Sequence, residues 1–181
     1  MKNILPFLFI SLLLFTGCKS DKVSSVNARE NPVKGHSVDE ITRVKDTVLL
    51  YDALLADGYR AQNMNALAQV ATEQRAQKAY YHMAALGEGS VKMDSNLNKI
   101  IFTDIKIISP DNAEAATEEE WDYKYINYKS GLQVYDNSVA YVLRYHLIKI
   151  SAKWLVDDIT VVSSKEENSR KYEPVTGKSG K

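Results

Sequence analysis

Arg144, His146, the adjacent pair Asp157-Asp158, the run Glu118-Glu119-Glu120 and the tyrosines are the residues of this 181-residue chain with chemistry to offer. Arg144 and His146 alternate with apolar neighbours in a strand-like segment, so they share one face. If that face lines a pocket, a guanidinium and an imidazole grip an acidic ligand group there; if it meets water, they are solvated. Of the other histidines, His36 lies in a polar stretch and reads as solvated, and His82 beside Tyr80 and Tyr81 reads as structural. Asp157 and Asp158 are neighbours on a strand and point to opposite faces, so a proton-sharing dyad would need a bulge. The three glutamates lack a second acidic cluster to complete a cation site and read as the solvated start of a strand. No Gly-rich phosphate loop, His-x-x-x-His pair or serine in a strand–turn–helix setting occurs, and no metal or cofactor is expected.

Tyrosine is abundant, with 11 copies against four Phe and two Trp. Tyr123 and Tyr125 are candidates for a ligand or partner surface, because the ring is apolar and the hydroxyl polar. With Tyr141 and Tyr145 they are also expected to form cross-strand aromatic pairs, each worth roughly 0.2–1 kcal/mol. The 23 basic and 23 acidic residues balance, which gives no electrostatic footprint for nucleic acid. The single cysteine excludes an internal disulfide and a cysteine-clustered metal site.

That cysteine ends a distinctive opening. Lys2 precedes an apolar stretch from Ile4 to Phe15, interrupted by Pro6 and Ser11. The stretch is shorter than the roughly 20 residues a membrane-spanning helix needs, and suits a signal-peptide core. It runs into Phe15-Thr16-Gly17-Cys18, which resembles the lipobox of bacterial lipoproteins, with Phe15 where Leu is commoner. The resemblance implies a signal peptide at residues 1–17 and a lipidated Cys18 anchoring the mature chain to a membrane. Lys19, rather than an aspartate, implies the periplasmic face of the outer membrane in a Gram-negative host. In a Gram-positive host the location would be the outer face of the cell membrane.

Residues 18–36 are polar and lack a hydrophobic period, so they read as a flexible tether, and residues 163–181 read as a polar tail. The folded domain is expected over residues 37–162. Ser37 and Glu40 have the form of a capping box. Val38, Ile41, Val44, Val48, Tyr51, Leu55 and Tyr59 then recur at helical spacing, with Gly58 placed to bend or end the helix. A second helix is expected over residues 64–70 and a third after Thr72, stopped by Gly87 and Gly89. Beyond Ser90, β-branched and alternating segments separated by turn residues predict consecutive antiparallel strands, closing in a hairpin around residues 151–153. Helices first and strands after imply an α+β domain with N-terminal helices packed on a curved antiparallel sheet, a cone-shaped roll.

The helical segment Asp46–Gly87 and the closing hairpin Tyr141 to Val161, with its Trp154-Leu-Val-Asp-Asp-Ile, resemble the nuclear-transport-factor-2-like superfamily, the cystatin-like α+β roll. Within it the chain looks closest to the inner-membrane-space domain of plastid and cyanobacterial division proteins and related bacterial envelope domains. The resemblance implies a conical cavity between sheet and helices, which some members use for catalysis and others for packing or binding. The expectation is a non-catalytic lipoprotein binding an envelope protein or a small ligand. The alternatives are a cyclase- or isomerase-like enzyme drawing on His82, Asp104, Asp122, Arg144 or His146, and a structural or chaperone lipoprotein.

Overall fold

The structure, a computed structural model, describes residues 38–172. The proposed signal peptide, Cys18, the tether, Ser37 and the chain beyond residue 172 lie outside the described residues.

Helix α1 spans Val38–Ala61 and buries Val44, Val48, Tyr51 and Tyr59, the stripe that the spacing predicts. Glu40 spends its carboxylate on Lys149 Nζ and Trp154 Nε1, both at 2.8 Å, so it pins the helix start to the sheet. Gly58 does not end α1, which runs on to Ala61. Its missing Cβ leaves room for Met64, whose sulfur would stand 2.5 Å from a Cβ there. The helix stops three residues later, before Gln62 at φ 53°. The expected second helix is a single 3-10 turn, Asn65–Gln69. It is too short a segment to sustain an α-helix before Thr72 starts the next one. Helix α2, Glu73–Glu88, is capped by the Thr72 hydroxyl, which accepts from the Arg75 amide at 3.3 Å.

Four long strands follow: β1 Val91–Ser109, β2 Asn112–Asn127, β3 Gln133–Ile150 and β4 Lys153–Lys171. They form an open antiparallel meander in the order β1-β2-β3-β4, with the two helices on one face. Register shifts at Leu97/Lys99 and Phe102/Asp104 in β1, and at three points between β3 and β4, bend the strands into a curved sheet. The fold is thus the expected α+β class, with two α-helices rather than three among the described residues.

β4 corrects the expected end of the folded part. Residues 163–171, read as tail, continue the strand and pair with Tyr135–Val142 of β3. Ladder hydrogen bonds hold this stretch, because its side chains stay exposed. At the other end of β4, Val156 exchanges hydrogen bonds with Val70 and Thr72, so the loop before α2 covers that edge.

Candidate functional site

Every second residue of β2 faces the helices, and the series changes character along the strand. Ala113 and Ala115 are fully buried and small, which lets α1 approach closely. Thr117, Glu119, Trp121, Tyr123 and Tyr125 continue the same face, and a cavity of about 500 Å³ opens there. Its wall is completed by Tyr51, Asp52 and Tyr59 of α1, Arg75, Lys78 and His82 of α2, and Asn137, Tyr141 and Tyr145 of β3. The volume falls in the range of small-molecule sites, roughly 300–1,000 Å³.

Three buried polar side chains organise the interior. Glu119 is 2% exposed and accepts from Thr117 Oγ1 at 2.7 Å, Trp121 Nε1 at 2.7 Å and Tyr145 Oη at 2.8 Å. Tyr145 Oη also lies 3.0 Å from Asp52 Oδ1. A phenol has one proton to donate, so both contacts are hydrogen bonds only if a carboxyl also carries a proton. Burial, reinforced by the nearby charge of Glu119, pushes the Asp52 carboxyl well above its usual range, so Asp52 is the protonated partner. Its proton then satisfies the Tyr145 oxygen while Tyr145 donates to Glu119. This leaves Asp52 Oδ2, buried in the cavity wall, without a hydrogen-bond partner among the described residues. Asn137 Oδ1 is in the same condition. Buried polar atoms are rarely left unsatisfied in this way.

The aromatic surround is apolar in body and neutral in charge. Burial raises the hydroxyl pKa of Tyr59, Tyr123 and Tyr145, so these phenols stay protonated as hydrogen-bonding groups. Trp121 and Tyr123 stack along β2 with centroids 6.0 Å apart, Tyr125 meets Tyr135 across strands at 5.5 Å, and Tyr51 meets Tyr145 edge-on at 6.4 Å. Only the second of these is a cross-strand pair, and Tyr141 stands opposite Glu119 instead.

The residues singled out from sequence divide between two faces. Tyr123 and Tyr125 line the cavity. Arg144 and His146 do not: Arg144 is exposed and His146 Nδ1 stands 3.7 Å from Asp157 Oδ2, away from the cavity wall. β4 does bulge beside Asp157, which keeps Val156 and Ile159 both packed in the core, yet no dyad forms. Asp158 pairs with Lys78 at 2.9 Å, and that contact holds its carboxyl below the usual carboxylate range. Of the residues considered for an enzyme, His82 alone reaches the cavity, at its exposed rim, where Nδ1 lies 2.6 Å from Tyr59 Oη. Asp104 forms an exposed ion pair with Lys106, and Asp122 bonds Ser138. Among the described residues no cluster of three or more His, Cys, Asp or Glu is placed to hold a metal.

Asp52 and Glu119 were missed, and both were legible in principle. Asp52 stands four residues after Val48 and next to Tyr51, on the buried stripe of α1. Glu119 stands two residues before Trp121, so period-2 alternation takes it inside while Glu118 and Glu120 stay exposed. Reading the three glutamates as one solvated run hid that difference.

The sequence matches no protein-family model, and comparison with curated proteins finds no match. The intermembrane-space region of the chloroplast protein ARC6 shares the fold, with a TM-score of 0.58 at 11% identity. The alignment covers 67% of this chain and 95% of that one. The likeness to such a domain, expected from the closing hairpin, therefore holds for the fold alone. Among the described residues no helix is long and apolar enough to cross a membrane.

Proposed function

We propose that the protein is a lipid-anchored envelope lipoprotein whose domain binds a small amphipathic molecule in the cavity beneath α1 and α2. The observation that carries the binding role is the pairing of aromatic walls with a buried acceptor, Asp52 Oδ2, that nothing in the described chain satisfies. A ligand hydroxyl or N–H would satisfy that atom, while its apolar body displaces water from the tyrosine rings. The lipobox-like Phe15-Thr16-Gly17-Cys18 supports the anchor, and the roll-like order of helices and strands supports kinship with nuclear-transport-factor-2-like domains.

Native mass spectrometry of the protein isolated from its own membrane tests the binding role. A small-molecule adduct is expected, absent from the variant Ala79→Phe, which fills the cavity from α2 where Ala79 lines it; no adduct in the unaltered protein would overturn it. The anchor has a separate test: Cys18→Ser is expected to leave the membrane fraction, and a variant that still sediments with membranes would contradict lipidation.

A second reading, an isomerase- or cyclase-like enzyme, is favoured by one observation. Asp52 is a desolvated acid with a raised pKa inside an open cavity, the property a general acid needs. Asp52→Asn separates the two readings, because a binding module keeps its ligand with an isosteric amide whereas an enzyme loses turnover.

A further inference from the structure

Helix α2 turns three basic residues toward the cavity mouth, Arg75, Lys78 and His82, spaced so that they share one face. Two of them are engaged. Lys78 is paired with Asp158, and His82 holds the Tyr59 hydroxyl. Arg75 differs. Its Nε donates to Tyr51 Oη at 2.7 Å and its guanidinium carbon stands 5.5 Å from the centre of that ring, which fixes the plane of the group. Its two Nη groups have no hydrogen-bond partner, and no carboxylate lies within ion-pair distance, among the described residues. Asp158 feels the Arg75 charge but is committed to Lys78, so two cations face one carboxylate and one positive charge is left over. The acids deeper inside do not compensate it by contact, because Glu119 is bonded to Thr117, Trp121 and Tyr145, and Asp52 is protonated.

We infer that the ligand of this cavity is a small organic acid, whose carboxylate is held end-on by the two Nη groups of Arg75 while its apolar body lies among Tyr123, Tyr125 and Tyr141. The inference rests on the binding role proposed above and adds the class of ligand. A guanidinium held in plane by Tyr51 presents two parallel N–H donors to a carboxylate at little cost in side-chain freedom. A neutral ligand of the same shape makes one weaker bond and leaves the charge uncompensated.

Isothermal titration calorimetry on the full mature chain in lipid nanodiscs, blanked against empty nanodiscs, tests this with 6-hydroxy-2-naphthoate and its neutral isostere 6-hydroxy-2-naphthamide, whose shared hydroxyl is the donor available to Asp52 Oδ2. The acid is expected to bind at least tenfold more tightly than the amide. Arg75→Gln should abolish that preference by weakening the acid at least tenfold, down to the variant's affinity for the amide. Arg75→Lys, which keeps the charge and loses the fork, should retain part of the preference and guards against a glutamine variant that misfolds. Equal affinity for acid and amide, or a preference that survives Arg75→Gln, would overturn the carboxylate inference and leave the cavity role standing. Binding of neither probe would overturn both.

Discussion

The two halves of β2 have the same alternation and opposite interiors. From Ala113 to Ala115 the inward residues are small and apolar, α1 lies against them, and Val44, Val48, Leu147 and Val156 close the space completely. From Thr117 to Tyr125 the inward residues are large or polar, and a cavity with its own hydrogen-bond network lies between them and the helices. One half is filled by side chains alone. The other is built around groups that satisfy each other except at Asp52 Oδ2 and Asn137 Oδ1. A strand pattern thus fixes which residues point inward, whereas their size and polarity decide whether the inside is a core or a site.

The largest expected effect comes from cutting the network. Glu119→Ala orphans the Thr117 hydroxyl, the Trp121 indole N–H and one Tyr145 contact, which at about 1–3 kcal/mol for each buried unsatisfied group predicts a loss of about 3 kcal/mol or more. Equilibrium denaturation with urea measures it, and a loss below about 1 kcal/mol would mean that the network does not hold this half together. Two turns of the alternation away, Ala115→Leu forces a larger side chain under α1 and is expected to cost about 1–3 kcal/mol through overpacking. Leu143 of β3 lines the cavity, so enlarging it has empty volume to enter, and the contrast between Ala115→Leu and Leu143→Phe sharpens the comparison. If both cost the same, the cavity is not open in solution.

A further effect depends on pH and comes from Asp52 in the cavity half. The folded pKa of Asp52 lies above its unfolded value, so the folded state binds more protons between the two values. Stability contributed by the protonated group is therefore complete below about pH 4 and falls as pH rises toward the folded pKa, by at most about 1.4 kcal/mol per pH unit. Asp52→Asn removes this titration, so the melting temperatures of the unaltered protein and the variant should diverge from pH 4 upward, with the variant the more stable. Parallel curves would place a charged carboxylate at Asp52.

Much of the apolar half was legible in the sequence. The helical spacing from Val44 to Tyr59, the Thr72 cap and the Trp154 hairpin specify α1, α2 and the β3–β4 pair, because burial there follows from hydrophobic period. The site was harder to see. Asp52 and Glu119 are charged residue types on buried positions, and a type-based reading sends both to the surface even though their spacing puts them inside. Arg144 and His146 were placed on one shared face by alternation, but which face the helices cover is a tertiary fact. The end of β4 was hidden for a different reason. Residues 163–171 are polar on both sides, so only pairing with β3 makes them a strand, and pairing leaves no mark in the hydropathy of one segment.

The central claim is that the cavity is a binding site completed by a ligand donor on Asp52. A crystal structure of the protein purified from its native membrane, without a denaturation step, tests it most directly. The account predicts non-protein density in the cavity, with a donor atom within hydrogen-bond distance of Asp52 Oδ2. Water alone against Asp52 Oδ2, unchanged between natively purified and refolded protein, would contradict it.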